Sequence, residues 1–198
     1  MMKFARSRGL AGVLLAGGIF GFLTSAVFDL VVAAEAKSGP AASSGVKAVT
    51  VRIADPTEPG TKLVFGGHVL DYGGRPLAKA AVVAYHTDAK GYYNPPRSES
   101  RVPRIRAVAV TAEDGSFRFE TIRPGAYPDG GVPAHIHMVV TAPAHHPRYL
   151  EFWFADDPLV TDARRREVAS NDGFVVVAPR KGADGVATFL QDITLRGN

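Results

Sequence analysis

From residue 47 onward the apolar positions come in short runs. Residues 49–53 alternate strictly, Val49, Val51 and Ile53 against Thr50 and Arg52, which is the period of a strand with one buried face. Further short runs at 63–70, 80–85, 107–111, 116–121, 136–141, 149–154, 174–178 and 187–195 read as strands, because glycine, proline or aspartate lies at or near their ends. Turns such as Asp71-Tyr72-Gly73-Gly74 and Glu113-Asp114-Gly115 fall between them. Only 157–169 accommodates a helix, and Pro158 and Arg164-Arg165-Arg166 make it a short surface element whose arginines form a solvated face. Eight or nine strands at this spacing predict an all-β fold, an antiparallel β-sandwich whose long end loops are available for a site.

The N-terminal pattern differs. Lys3, Arg6 and Arg8 precede an apolar run over 9–28, and small residues follow up to Ala34 and Ala36. That is the anatomy of a secretory signal, although an uncleaved run of this length approaches what a membrane anchor needs. Residues 1–36 are therefore read as a signal peptide or N-terminal membrane anchor, 37–46 as a flexible linker rich in Ser, Gly and Pro, and 47–198 as the folded domain. The expected location is outside the cytoplasm, periplasmic or extracellular, with membrane contact only through an uncleaved N-terminal segment.

Charge and cysteine content remove other readings. Twenty-three Lys and Arg stand against 19 Asp and Glu, a net +4 without a basic run interleaved with aromatics, so the sequence gives no case for nucleic acid. With no cysteine, disulfides, thiolate metal sites and cysteine nucleophiles are excluded, and the domain must be held by its core.

The chemistry concentrates between 124 and 137. His135 and His137 flank Ile136, so in a strand both imidazoles share one face while Ile136 points the other way. A single strand histidine is more often a satisfied polar residue, but a same-face pair suits iron, copper or zinc. Tyr127 stands upstream, across the bend Asp129-Gly130-Gly131, and Tyr92 and Tyr93 follow the turn Asp88-Ala89-Lys90-Gly91. Taken alone, Tyr127 also fits a tyrosine corner and Tyr92 and Tyr93 fit aromatic packing. Phenol ionises near pH 10 and is a poor ligand for divalent ions, whereas a hard trivalent ion deprotonates it by its own charge. Two histidines with two tyrosines therefore point to Fe(III) rather than zinc.

Two resemblances follow from these residues. Gly67 to Leu77, with Thr111 to Phe119 and Pro124 to Tyr127, resembles transthyretin-like or carboxypeptidase-regulatory-like sandwiches, which implies only a binding or structural module without metal chemistry. The order Asp88-Ala89-Lys90-Gly91-Tyr92-Tyr93, then Glu113 through Tyr127-Pro128, then Pro133-Ala134-His135-Ile136-His137, continuing through Phe152 to Val160 and ending at Asp192 to Gly197, resembles the intradiol ring-cleavage dioxygenases. Its layout is most similar to the protocatechuate 3,4-dioxygenase branch. This second resemblance spans roughly residues 63–197 and implies a β-sandwich whose long loops form the metal site. It implies a non-haem Fe(III) held by Tyr93, Tyr127, His135 and His137, with Tyr92 as the alternative to Tyr93. It also implies O2-dependent cleavage of a catechol-type aromatic, incorporating both oxygen atoms to give a muconate-type diacid, with Tyr127 released as the substrate's protons are taken up. Assembly into a homo-oligomer is common in such families.

The chain departs from that pattern at two positions. The arginine expected just before the Pro-Ala-His-Ile-His element is Val132, and the glutamine expected on the later strand is Glu151. Neither change is conservative, and loss of a charge-stabilising donor costs about two or three orders of magnitude in rate, so a ferric site used for a different reaction is a further alternative. Arg148 is the first choice to compensate, ahead of Arg104 and Arg106, because it opens the strand that holds Glu151. The catalytic set is thus Tyr127, Arg148 and Glu151. His68, His145 and His146 are read as structural, and the arginine- and proline-rich loop 94–106 as the pocket rim.

Overall fold

The computed structural model describes residues 50–198; the segments read as leader or anchor (1–36) and linker (37–46) lie outside the described residues. In chain order the elements are β1 (Thr50–Arg52), β2 (Lys62–Asp71), β3 (Ala81–His86), β4 (Arg106–Val110), β5 (Ser116–Ile122), β6 (His135–Thr141), β7 (Arg148–Phe154), α1 (Asp162–Val168), β8 (Phe174–Val177), β9 (Arg180–Lys181), β10 (Ala187–Leu190) and β11 (Ile193–Leu195). No helix among the described residues is long and apolar enough to cross a membrane.

The strands form two sheets. One runs β1-β5-β2-β10-β9, with β11 pairing the C-terminal half of β2; the other runs β4-β3-β6-β7-β8. The pairs β2–β5, β3–β4, β3–β6 and β6–β7 are antiparallel, as the short-strand pattern predicts. The pairs β1–β5, β2–β10, β2–β11 and β7–β8 are parallel. Parallel pairing needs a crossover rather than a hairpin, and the segment carrying α1 supplies one between β7 and β8.

Alternation along each strand divides core from surface. Val82, Ala84, Ile136, Met138, Val140, Leu150, Phe152 and Phe154 face inward from the second sheet and meet Phe65, Phe117, Phe119, Phe189, Ile193 and Leu195. Phe65 lies at the centre, stacked on Phe189 at 5.3 Å, tilted against Phe119 at 5.2 Å and edge-on to Phe152 at 6.5 Å. Such aromatic pairs add about 0.5–1.5 kcal/mol each beyond the area they bury.

The single strand expected over 187–195 is two. At the break, the Gln191 carbonyl approaches β2 so closely that a Cβ on Gly67 would collide with it, and Asp192 Oδ1 accepts from the backbone N–H of His68 at 2.8 Å. A side chain thus replaces one rung of the ladder. The two-residue β9 is exposed and charged, so it carries no apolar period to read.

The helix is shorter than its segment. Thr161 caps it by accepting from the Arg164 N–H, and none of its residues is buried. Its arginines are not simply solvated, which corrects the sequence expectation: Arg164 Nη2 donates to Gly131 O at 2.9 Å and Arg165 Nη2 to Ala155 O at 2.7 Å. Backbone carbonyls in the adjacent loops attract the guanidinium groups, and these tie α1 to the loop that precedes β6 through Arg164 and to the segment after β7 through Arg165.

Candidate metal centre

The outer face of the second sheet carries the chemistry. Across β4-β3-β6-β7-β8, Arg106, Tyr85, His137, Glu151 and Phe174 lie opposite one another in a single row. Directly opposed residues project to the same side of a sheet, so this row continues outward from the strands whose alternate residues build the core. His135 lies one step along β6, opposite Trp153.

Two loops bring the tyrosines over that face. Asp88 Oδ1 accepts from the backbone N–H groups of Lys90 and Tyr92, at 2.8 and 3.0 Å, and shapes the turn before Tyr93. Gly125 N donates to Asp88 O at 2.8 Å, which lays the turn alongside the strand leading to Tyr127. Gly91, at φ 89, touches the Ala126 carbonyl so closely that any side chain there would collide. After Tyr127 the chain reverses through Gly130 at φ 74, with Gly130 N donating to Tyr127 O at 2.9 Å. Asp157 receives it on the far side, accepting from Ala134 N at 2.9 Å and Leu159 N at 2.8 Å.

Four donor atoms converge there. Tyr93 Oη lies 2.7 Å from Tyr127 Oη and 2.8 Å from His137 Nε2; His135 Nε2 lies 2.9 Å from His137 Nε2 and 3.3 Å from Tyr127 Oη. The structure therefore brings together Tyr93, Tyr127, His135 and His137, while Tyr92 stays 41% exposed on the surface.

The far nitrogens define the tautomers. His135 Nδ1 sits 2.7 Å from Pro133 O, an acceptor, so it carries the proton and leaves a lone pair on Nε2. His137 Nδ1 faces Glu151 Oε1 at 3.5 Å, too long for a formed hydrogen bond but placed to favour the proton on Nδ1. With both Nε2 atoms as acceptors, two imidazole lone pairs converge at 2.9 Å with a phenol oxygen beside each, an arrangement that suits a cation. Ligands about 2 Å from one small ion are themselves about 3 Å apart, and the observed donor spacing matches.

Burial sharpens this requirement. It pushes the Tyr93 phenol far above its ordinary value, with further elevation from the neighbouring Tyr127, and raises Tyr127 as well. Burial, then the neighbouring histidines, holds the His137 imidazole well below its ordinary value. The pocket therefore keeps the phenols protonated and the imidazole neutral unless a strong local positive charge reverses the phenols. A hard trivalent ion has that charge, and the two-nitrogen, two-phenol donor set fits Fe(III).

Three neighbours escaped the sequence reading. Tyr85 stacks on His137 with centroids 4.7 Å apart and rings 16° from parallel; it ends an apolar run, and only strand register reveals that it shares the face of His137. Trp153 Nε1 donates to Glu151 Oε2 at 3.0 Å. Asp157 anchors the start of β6, as described, although nothing in the local sequence marks it.

The first-choice compensating arginine is not in the site. Arg148 lies opposite Val140, at the far end of β7 from Trp153, and is three positions from Glu151, so alternation turns it to the other face. Its Nη1 donates to Thr194 O at 2.9 Å and its Nη2 to Asp172 O at 3.1 Å. Arg104 is also engaged elsewhere, forked onto both Glu58 carboxylate oxygens at 2.6 Å. Arg106 is exposed and stands on the site face, two strands from His137.

The sequence model of a family described as Dioxygenase matches residues 38–197. Catechol 1,2-dioxygenase of Acinetobacter baylyi is 32% identical over 146 residues, which is 64% of this chain and 46% of that protein. The protocatechuate 3,4-dioxygenase beta chain of Burkholderia cepacia is 31% identical over 112 residues, 51% of this chain and 48% of that one. The chain thus spans about half the length of the curated relatives it matches. The solved catechol 1,2-dioxygenase from Pseudomonas arvilla C-1 superposes with a TM-score of 0.61 at 26% identity, covering 94% of this chain and 72% of that one. The dioxygenase domain of a dioxygenase carbohydrate-binding fusion from Streptomyces sp. SirexAA-E shares the fold, with a TM-score of 0.58 at 24% identity over 81% of this chain and 96% of that one. With the family match covering most of the chain and the same sandwich underlying these neighbours, the protein belongs to the intradiol dioxygenase family.

Proposed function

We propose that the protein holds Fe(III) with Tyr93, Tyr127, His135 and His137 and uses it to open the ring of a catechol-type aromatic with O2, giving a muconate-type diacid. The convergence of four donor atoms, two of them facing imidazole lone pairs, is the observation that carries this reading. It separates the protein from a transthyretin-like binding module, which has no use for such a cluster. Catechol and protocatechuate appear in the names of similar proteins, and this supports a catechol-type substrate.

Ferric iron supplies a Lewis acid that draws charge from a chelated catecholate and makes its ring reactive toward O2. The chain's own residues do the rest. By the family resemblance Tyr127, which precedes a glycine-containing bend and lies 2.7 Å from Tyr93 and 3.3 Å from His135, would be the phenolate that gives way and accepts a substrate proton at Oη. Tyr93, 2.8 Å from His137, would remain. Pro133 O orients His135, and the stacked Tyr85 ring holds His137 in plane and keeps water from its face.

Export is part of the proposal, supported by Lys3, Arg6 and Arg8 before the apolar run and by Ala34 and Ala36 after it. N-terminal sequencing of the mature protein tests it: a start at Glu35 or Lys37 supports cleavage, and Met1 retained in a membrane fraction indicates an anchor.

The decisive experiment loads purified protein with one equivalent of ferric iron, records the visible spectrum and adds catechol in air. A tyrosinate-to-iron band that shifts with catechol and then decays as diacid accumulates is the expected result. Absence of the band overturns the metal assignment. A band that shifts without product overturns ring cleavage alone and turns attention to Val132, where a charge-stabilising donor is missing.

A further inference from the structure

Glu151 accepts one hydrogen bond and turns its second oxygen toward an imidazole nitrogen. It stands directly opposite His137 across β6 and β7. Oε1 lies 3.5 Å from His137 Nδ1, and Oε2 accepts from the Trp153 indole N–H at 3.0 Å. An indole nitrogen only donates. The imidazole nitrogen facing Glu151 also bears its proton whenever Nε2 directs a lone pair into the donor cluster. A carboxylate presents an acceptor oxygen to each partner, bonding the indole and facing Nδ1 at 3.5 Å. A carboxamide offers one oxygen and one N–H group, which would set donor against donor at Trp153 or at His137.

Glu151 is not itself placed as a fifth ligand. One of its oxygens lies within 4.8 Å of a ring nitrogen of His135 and of His137, but its approach to His137 is to Nδ1 and not to the Nε2 that joins the tyrosines. It therefore acts through His137. Its side chain is 15% exposed and that of His137 is 10% exposed, so the carboxylate charge is poorly screened by water.

We infer that Glu151 is a positioning residue that fixes His137 in the Nδ1–H tautomer and, through its charge, biases the pocket toward ferric over ferrous iron. A carboxylate behind a ligating imidazole raises the basicity of the ligand nitrogen, and a nearby negative charge favours the more highly charged oxidation state. The inference rests on the proposed ferric centre and deepens it. It also accounts for a carboxylate where the family resemblance predicts an amide: Trp153 and His137 together demand an acceptor with two oxygens.

The test compares the full-length protein, Glu151→Gln, and Glu151→Gln combined with Trp153→Phe, each loaded with iron. The readouts are the ferric/ferrous midpoint potential and the tyrosinate-to-iron band. Glu151→Gln is expected to weaken the ferric preference about tenfold, which for a one-electron couple is about 59 mV, and to move the band to longer wavelength. The double variant removes the indole donor, frees the amide oxygen for His137 and restores hydrogen-bond matching without restoring charge. It is expected to keep the shifted potential, and it carries the test alone if Glu151→Gln does not fold. Wild-type potential and band in the folded variants overturn the inference while leaving the ferric centre intact. A return to the wild-type potential in the double variant alone also overturns it, since charge would then not be the cause. If the wild-type protein itself shows no tyrosinate-to-iron band, the proposed function falls and the inference falls with it.

Discussion

Two kinds of buried histidine sit back to back in the second sheet. His86 faces the core, with Nε2 2.7 Å from Thr121 Oγ1 and Nδ1 2.6 Å from Thr87 O. Both nitrogens have partners inside the protein, and burial holds its pKa down to about 4. His135 and His137 occupy the opposite face, and each has a partner for Nδ1 while their Nε2 atoms point at each other. Burial alone therefore does not mark a metal ligand. A structural histidine has its hydrogen bonds completed by backbone and hydroxyl groups, whereas the proposed ligand pair turns both Nε2 lone pairs toward each other and two phenols, a donor cluster that suits a cation.

Removing a ligand should break this comparison most severely. His135→Ala is expected to abolish stoichiometric iron binding and the tyrosinate-to-iron band while the circular dichroism spectrum stays that of a β-sandwich; retained band and turnover would refute its role. Tyr127→Phe is expected to keep iron but lower kcat by about 10²–10⁴, the usual worth of a positioned proton acceptor, which stopped-flow measurement of ring opening reads directly.

His86→Ala should behave in the reverse way. It leaves Thr121 Oγ1 without its partner and opens a cavity, costing about 2–4 kcal/mol in chemical denaturation, with the iron band unchanged. The pH dependence has a defined sign. Because folding depresses the His86 pKa from about 6.5 to about 4, the unfolded chain binds more protons in that range. Stability from neutral His86 is full above pH 6.5 and is lost as pH falls toward 4. The stability gap between wild type and His86→Ala should therefore narrow by at most about 3 kcal/mol between pH 7 and pH 4. A gap that is constant with pH would contradict the buried neutral state.

The smallest effect tests the two faces of β7. Arg148→Ala removes the bonds to Thr194 O and Asp172 O and should cost about 1–3 kcal/mol of stability, with kcat unchanged within twofold. A hundredfold loss of kcat at unchanged stability would return Arg148 to the active site.

Most strands and the histidine pair were legible because they are local. The period of two put His135 and His137 on one face and Ile136 in the core, and the chemistry of phenol and imidazole together indicated a hard trivalent ion. The register was not legible. Tyr85, Trp153 and Glu151 lie opposite His137 or His135 only because antiparallel pairing aligns three separate strands, and no spacing within the chain records that alignment. Arg148 misled for the same reason: it neighbours Glu151 in sequence, but three residues along a strand reverses the face.

Residue order alone establishes the alternation that separates core from site, the residue types that suit iron, the absence of cysteine chemistry and the two departures at Val132 and Glu151. Tertiary contacts alone settle which tyrosine meets the histidines, which arginine stays away and what Glu151 faces across the sheet. Side-chain character and strand period are properties of the local chain, whereas the convergence of donor atoms is set by loop closure and strand register, to which residues distant in sequence contribute.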